Sequence, residues 1–222
     1  MTRRTNAKPR AKHKRLNAIQ IASIVLGTIL FLCAVSFGGY IWYEEDQHQK
    51  ELANYPVAYT DLIKQYAEQY QLDPYLVQSI IRCESSNKPD AVSKVGAIGL
   101  MQIMPDTGEW IGHKIDPELA YSLDMLTDPA INIEYGCWYL KFLSDRFDGN
   151  MMEIVAAYNA GHGSVEGWLK DSRFSQKGTL TTIPFEDTAK YYDNVMKAYK
   201  NYTTLYPDLF TTKTQTATVV GG

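Results

Sequence analysis

The sequence predicts an all-α protein: one membrane-spanning helix followed by a compact helical domain. Three observations carry this expectation. Apolar residues recur at helical spacing in segment after segment, whereas strand signals are scarce. Ile19 to Trp42 is a run of 24 residues without a charge. From near Thr60 the chain holds about 150 residues of globular character with no internal repeat, enough for one domain with a core of its own.

Residues 1–18 form a basic segment in which Arg3, Arg4, Lys8, Arg10, Lys12, Lys14 and Arg15 face no acid. The membrane anchor is assigned to residues 19–43. The uncharged run, as a helix, is about 36 Å long against a hydrocarbon core of about 30 Å. The basic flank sets the N-terminus in the cytoplasm, and Tyr40, Trp42 and Tyr43 sit where an aromatic belt meets the far interface. The expected product is a single-pass protein of the cell membrane with its domain outside. A cleaved secretory signal is the alternative, with Ala34-Val35-Ser36 as its cleavage site, but the run exceeds the usual signal core.

Residues 44–59 read as a polar stalk or the lead-in to a first helix, residues 60–206 as the domain, and residues 207–222 as a disordered Thr-, Gln-, Val- and Gly-containing tail. Helices are expected at Thr60–Tyr70, Pro74–Cys83, Thr107–Ile111, Pro129–Phe147, Asn150–Ala160, Val165–Lys170 and Phe185–Leu205, with a short turn at Leu100–Met104. Asp73-Pro74 and Asp128-Pro129 pair a capping carboxylate with a proline preset for the first turn. The Pro129 helix is apolar on two sides, with Ile131, Tyr135, Trp138 and Phe142 on one and Ile133, Cys137 and Leu140 opposite. Burial at the centre is expected, with the aromatic residues as core. Asn132 reads as a cap or a buried hydrogen-bonding residue.

Charge excludes one class of function. Past the basic segment, 15 Lys and Arg stand against 25 Asp and Glu, a net of −10, and such a surface repels nucleic acid. The histidines, His13, His48, His113 and His162, lack metal-site spacing, so neither metal nor other cofactor is expected. Cys33 falls in the span. Cys83 and Cys137 both lie where a disulfide persists, yet each also suits a small buried hydrophobe, and their pairing stays open.

The chemistry centres on Glu84. It ends the helix that begins at Pro74, since Ser85, Ser86, Asn87 and Pro89 favour turns. A glutamate there feels the negative end of the macrodipole, and apolar neighbours strip its water; both raise its pKa toward that of a useful proton donor. The bland alternative is a solvated helix-end carboxylate.

The surrounding blocks decide in favour of chemistry. Glu84-Ser85 with Pro89, Ala91, Val92 and Ser93, then Gly99-Leu100-Met101-Gln102-Ile103-Met104-Pro105, then Ala156-Ala157-Tyr158-Asn159-Ala160-Gly161 follow in order. With Asn132-Ile133, Gly136, Tyr139-Leu140 and Thr188/Tyr191, this pattern resembles the lytic transglycosylases of the soluble-lytic-transglycosylase type, relatives of goose-type lysozymes in glycoside hydrolase family 23, over about Leu62 to Val195.

The resemblance implies a lysozyme-like fold that acts on peptidoglycan glycan strands as a monomer. It implies that Glu84 protonates the oxygen leaving N-acetylmuramic acid, that the substrate's acetamido group stabilises the cationic centre, and that Glu84 then deprotonates the C6 hydroxyl to close a 1,6-anhydro ring. It marks Ser93, Gln102, Met104, Tyr158, Asn159 and Tyr191 as groove residues. Gln102 is expected to bond a substrate acetamido or the backbone, Met104 to shield Glu84 or fill core, and the Tyr158 hydroxyl to reach the site or satisfy the core. Asp187, Asn87 and Lys88 depart from the family pattern. A lysozyme-like hydrolase on the same scaffold and a silent wall-binding module of a secretion or conjugation apparatus are the alternatives.

Overall fold

The computed structural model describes residues 17–211. The basic segment up to residue 16 and the tail from residue 212 lie outside the described residues. The chain divides after Glu51 into two units, each described by itself.

The first unit is helical. Helix α1 runs from Ala18 to Asn54, and it is long and apolar enough to cross a membrane. It does not stop at the end of the uncharged run. Glu44 to Asn54 contain no helix breaker before Pro56, and ion pairing between Lys50 and Asp46 (2.6 Å) supports the polar turns at helical spacing.

The second unit begins with residues that the sequence assigns to the stalk but that pack here. Tyr202 and Tyr206 donate hydroxyl hydrogens to the carbonyls of Pro56 (3.0 Å) and Tyr55 (2.9 Å). Helices α2 (Thr60–Tyr70), α3 (Pro74–Ser85) and α4 (Pro105–Ile115) follow, then a 3-10 turn at Leu123–Thr127. Next come α5 (Pro129–Arg146), α6 (Met151–Ala160) and α7 (His162–Leu169), a hairpin of β1 (Ser175–Gln176) and β2 (Thr179–Leu180), and α8 (Glu186–Leu205).

The caps act as the sequence predicts. Asp73 accepts from the Tyr75 amide at 2.8 Å, and Asp128 from Ala130 (2.8 Å) and Ile131 (3.1 Å). Asn150 caps α6, and Gly161, at φ 82°, both ends α6 and starts α7. The hairpin was not expected. Its antiparallel pairs, Ser175 with Leu180 and Gln176 with Thr179, are joined by Lys177-Gly178, both at positive φ, as a tight hairpin turn demands.

Helix α5 packs against α2, α4 and α6, while α8 lies along α3 and α6. The core runs through Ile63, Leu76, Ile80, Ile81, Leu100, Met101, Ile133, Leu140 and Val155, all fully or nearly fully buried. One expectation for α5 needs correction. Ile133, Tyr135, Cys137, Leu140 and Leu143 are buried, but Trp138 and Phe142 are half-buried and form a surface cluster. A second correction concerns the tail. Phe210 is buried, its ring edge-on to Tyr75 at 5.0 Å, so the ordered domain passes Pro207.

Candidate active site

Glu84 lies in the last turn of α3, which Asp73 and Pro74 start and a left-handed Ser86 (φ 53°) ends. The carboxyl is partly buried, and burial pushes its pKa from 4.5 up to about 7. Tyr191, from α8, donates its hydroxyl hydrogen to Oε1 at 2.6 Å and pulls the other way. No second carboxylate contributes to the shift. Burial is therefore the leading cause. The Tyr191 phenol is itself held far above its usual range, first by burial and then by the charge of Glu84, so it stays a donor.

The loop between α3 and α4 forms the wall beside the acid. Its turns rest on backbone bridges of Val92 with Ile98 and of Ile98 with Ile103. Buried Asn132 of α5 clamps it: Oδ1 accepts from the Met101 amide at 2.7 Å, and Nδ2 donates to the carbonyls of Ile98 (3.0 Å) and Leu126 (2.8 Å). Gly99 is required at this contact. A Cβ there would sit 2.2 Å from Asn132 Nδ2, and the φ of +83° disfavours any side chain. Gly136, a helical turn after Asn132, likewise leaves room for the loop, since a Cβ there would meet Met101 Sδ at 2.1 Å.

The structure places the expected groove residues unequally. Gln102, itself left-handed at φ 49°, donates Nε2 to the carbonyls of Gly99 (2.8 Å) and Ala91 (3.0 Å). The backbone is thus its partner. Tyr158 donates to the Met101 carbonyl at 2.8 Å, and Glu84 is among the charges that raise its phenol after burial. Tyr158 therefore supports the loop within reach of the acid's charge. Met104 is 41% exposed and precedes α4, a rim position that excludes a core role. Asn159 accepts from the Thr188 hydroxyl at 2.9 Å, tying α6 to α8. Ser93 accepts from the Ala97 amide at 3.0 Å and holds the loop's first turn, apart from the groove lining.

A groove of about 250 Å³ is lined by Gln102, Ile103, Met104, Thr107, Tyr139, Tyr158, Asn159, Ala160 and Gly161. A cavity of about 280 Å³ lies on the α3–α8 side, lined by Tyr55, Arg82, Cys83, Tyr191, Asn194, Lys197 and Ala198. Tyr191, which lines the α3–α8 cavity, bonds Glu84, and groove-lining Tyr158 feels the charge of Glu84. Asn132, Thr188, Tyr139 and Gly136 were given no chemical role by sequence reasoning, although all four belong to the blocks that carry the resemblance.

The Cys83–Cys137 pairing is not formed; both are free thiols. Cys83 lines the α3–α8 cavity, where burial pushes its thiol up to about 11, and Cys137 is enclosed in the core. Neither is an activated nucleophile. Among the described residues no group of His, Cys, Asp or Glu is arranged to hold a metal ion.

Comparison with known proteins extends these findings. Residues 61–180 match the transglycosylase SLT domain. The soluble lytic murein transglycosylase of Escherichia coli K12 is 36% identical over 169 residues, which are 75% of this chain and 25% of that protein. The crystal structure of the 70 kDa soluble lytic transglycosylase of Escherichia coli superposes with a TM-score of 0.64 at 35% identity, over 69% of this chain and 25% of that one. An inactive Glu-to-Gln mutant of the lytic transglycosylase Slt from Pseudomonas aeruginosa gives 0.60 at 35% identity, over 68% and 24%. This chain thus spans about a quarter of the length of these relatives. With more than half of its residues inside the matched domain and the lysozyme-like helical fold shared with these enzymes, the chain belongs to the SLT transglycosylase family.

Proposed function

We propose that the protein is a membrane-anchored lytic transglycosylase that cleaves peptidoglycan glycan strands without water, using Glu84 alone as acid and then base. The observation that carries this reading is the single, partly buried carboxyl held near neutral pKa beside the groove. A glycosidase that works through two carboxylates sets them about 5–5.5 Å apart to form a glycosyl-enzyme, or about 6.5–9.5 Å apart to seat a water. Among the described residues, no second carboxylate is among the causes that shift Glu84. A carboxyl with pKa about 7 is protonated often enough to donate to the leaving oxygen, and its conjugate base is strong enough to accept the C6 hydroxyl proton. The substrate acetamido group takes the stabilising role that a second carboxylate would otherwise fill. Gln102 presents its amide carbonyl, which no residue occupies among those described, as an acceptor for a sugar amide.

The description of the Pseudomonas relative as an inactive Glu-to-Gln mutant supports dependence on one glutamate in this fold. Anchoring rests on α1 and on the basic residues before it, which favour a cytoplasmic N-terminus and an external domain.

The test is digestion of purified murein by the protein, with products resolved by mass. Anhydro ends are expected, and Glu84→Gln is expected to lose the 10²–10⁴-fold or so that acid–base assistance supplies. Reducing ends, which carry one more water, would assign a lysozyme-like hydrolase, and no release by the wild type would assign a silent wall-binding module. External protease on wall-less cells should remove the domain and spare a tag before Arg3; a mature chain starting near Phe37 would instead identify a cleaved signal.

A further inference from the structure

A path of aromatic rings leaves the groove and reaches the surface. Tyr158 and Tyr139, both groove-lining, have ring centroids 5.7 Å apart. Tyr139 stacks on Phe142 at 5.9 Å, and Phe142 stacks on Trp138 at 5.9 Å and meets Trp110 edge-on at 5.3 Å. Trp110 also meets Trp138 edge-on at 5.1 Å. These rings begin where the groove lining stops. Trp110 is one turn beyond Thr107 on α4, and Trp138 adjoins Tyr139 on α5.

Trp110 remains 37% exposed, and Trp138 and Phe142 are half-buried, so part of this aromatic cluster stays in water beside the groove-lining Thr107 and Tyr139. Such a surface marks a binding site when it continues one. Its charge suits a neutral ligand, since Arg146, which lies over the Phe142 ring at 5.6 Å, is already paired with Glu166. A pyranose ring matches this chemistry. It offers an apolar face of C–H groups to an indole while its hydroxyls stay in water at the edges.

We propose that Trp110, backed by Trp138 and Phe142, is a further sugar-stacking subsite that continues the groove, and that its occupant is a ring of the same glycan strand remote from the cleaved bond. The proposal rests on the glycan-cleaving reading above. Its consequence is a preference for long strands, because only they reach Trp110 while a bond lies at Glu84.

The test uses the full chain in detergent with peptide-free glycan strands, comparing a tetrasaccharide with strands several times longer. Trp110→Ala is expected to lose about five- to tenfold more kcat/KM on long strands than on the tetrasaccharide. Trp110→Leu, which keeps apolar packing at this position but no ring, should show the same selective loss with a wild-type melting temperature, and Trp110→Phe should recover most of it. Equal losses on both lengths, or full long-strand activity in Trp110→Leu, would overturn the proposal. A second measurement needs no turnover: titration of the Glu84→Gln protein with long strands, followed by tryptophan emission, should weaken about five- to tenfold on adding Trp110→Ala. Binding that ignores Trp110 sinks the subsite alone. No strand binding with Trp110 intact sinks the groove reading and the subsite together.

Discussion

Glu84→Gln is expected to stabilise the folded protein, and only at neutral and alkaline pH. In the fold the carboxyl titrates near 7 instead of 4.5. Each unit of difference corresponds to about 1.4 kcal/mol, so allowing for the carboxyl's residual contact with water, the ionised group costs the folded state about 2–3 kcal/mol. The pH window follows from the direction of the shift. Below the unfolded value both states hold the proton and nothing is lost. As pH rises from there, the unfolded chain releases its proton while the folded one retains it, so the wild type loses stability until the folded carboxyl ionises too, near pH 7. Glutamine has no proton to release and still accepts from Tyr191. At about 2–4 °C per kcal/mol for a unit of this size, Glu84→Gln should melt about 4–12 °C above wild type at pH near 8 and level with it at pH near 4. Thermal unfolding followed by far-UV circular dichroism at both pH values decides the matter. A melting difference that does not change with pH would refute the assignment of a strained, buried carboxyl.

The same geometry makes further predictions. Tyr191→Phe removes the hydrogen bond that lowers the Glu84 pKa, so the alkaline limb of the pH–rate profile should move upward; a downward move would contradict the donor role. Asn132→Ala orphans the Met101 amide and the Leu126 carbonyl and leaves the Ile98 carbonyl only the Ile103 amide, and chemical denaturation should report a loss of about 2–4 kcal/mol. Gly136→Ala drives a methyl against Met101, at a cost of about 1–3 kcal/mol, and should lower kcat by displacing the wall beside Glu84. Reductant should leave the melting temperature unchanged, because the domain's thiols are free; a lowered value would reveal a bridge.

The helices were legible because they are written locally. Asp73-Pro74 and Asp128-Pro129 state where α3 and α5 start, and Ser86 and Gly161 where α3 and α6 stop. The hairpin was not, since strands of two residues leave no alternation to detect and Lys177-Gly178 is a weaker turn signal than Asn-Gly. The stalk assignment missed that Glu44–Asn54 lacks a breaker and that Pro56 and Tyr55 find partners in Tyr202 of α8 and in Tyr206 just past it, about 150 residues away. At the site, the motif blocks single out Glu84 and the candidate groove residues, but not the partners that the fold gives them. That Tyr191 meets Glu84 across a separation of 107 residues is a property of how α8 lies on α3. Asn132 looked like one polar residue in an apolar helix, and only the folded loop reveals the three groups it satisfies. The aromatic face of α5 misled for a related reason. Helical spacing shows that Trp138 and Phe142 share a side, not whether another element covers it.

The pairing of α3 with α8 has a consequence for the birth of the protein. Glu84 is made 107 residues before Tyr191, and the water-poor setting that lifts the carboxyl exists only once α8 has closed over α3. A chain still being synthesised, or one clipped before α8, carries the acid as an ordinary, fully ionised glutamate with nothing to donate at neutral pH. On the reading proposed above, the acid is in this way disarmed until α8 has docked on α3, and any unfastening of α8 disarms it again.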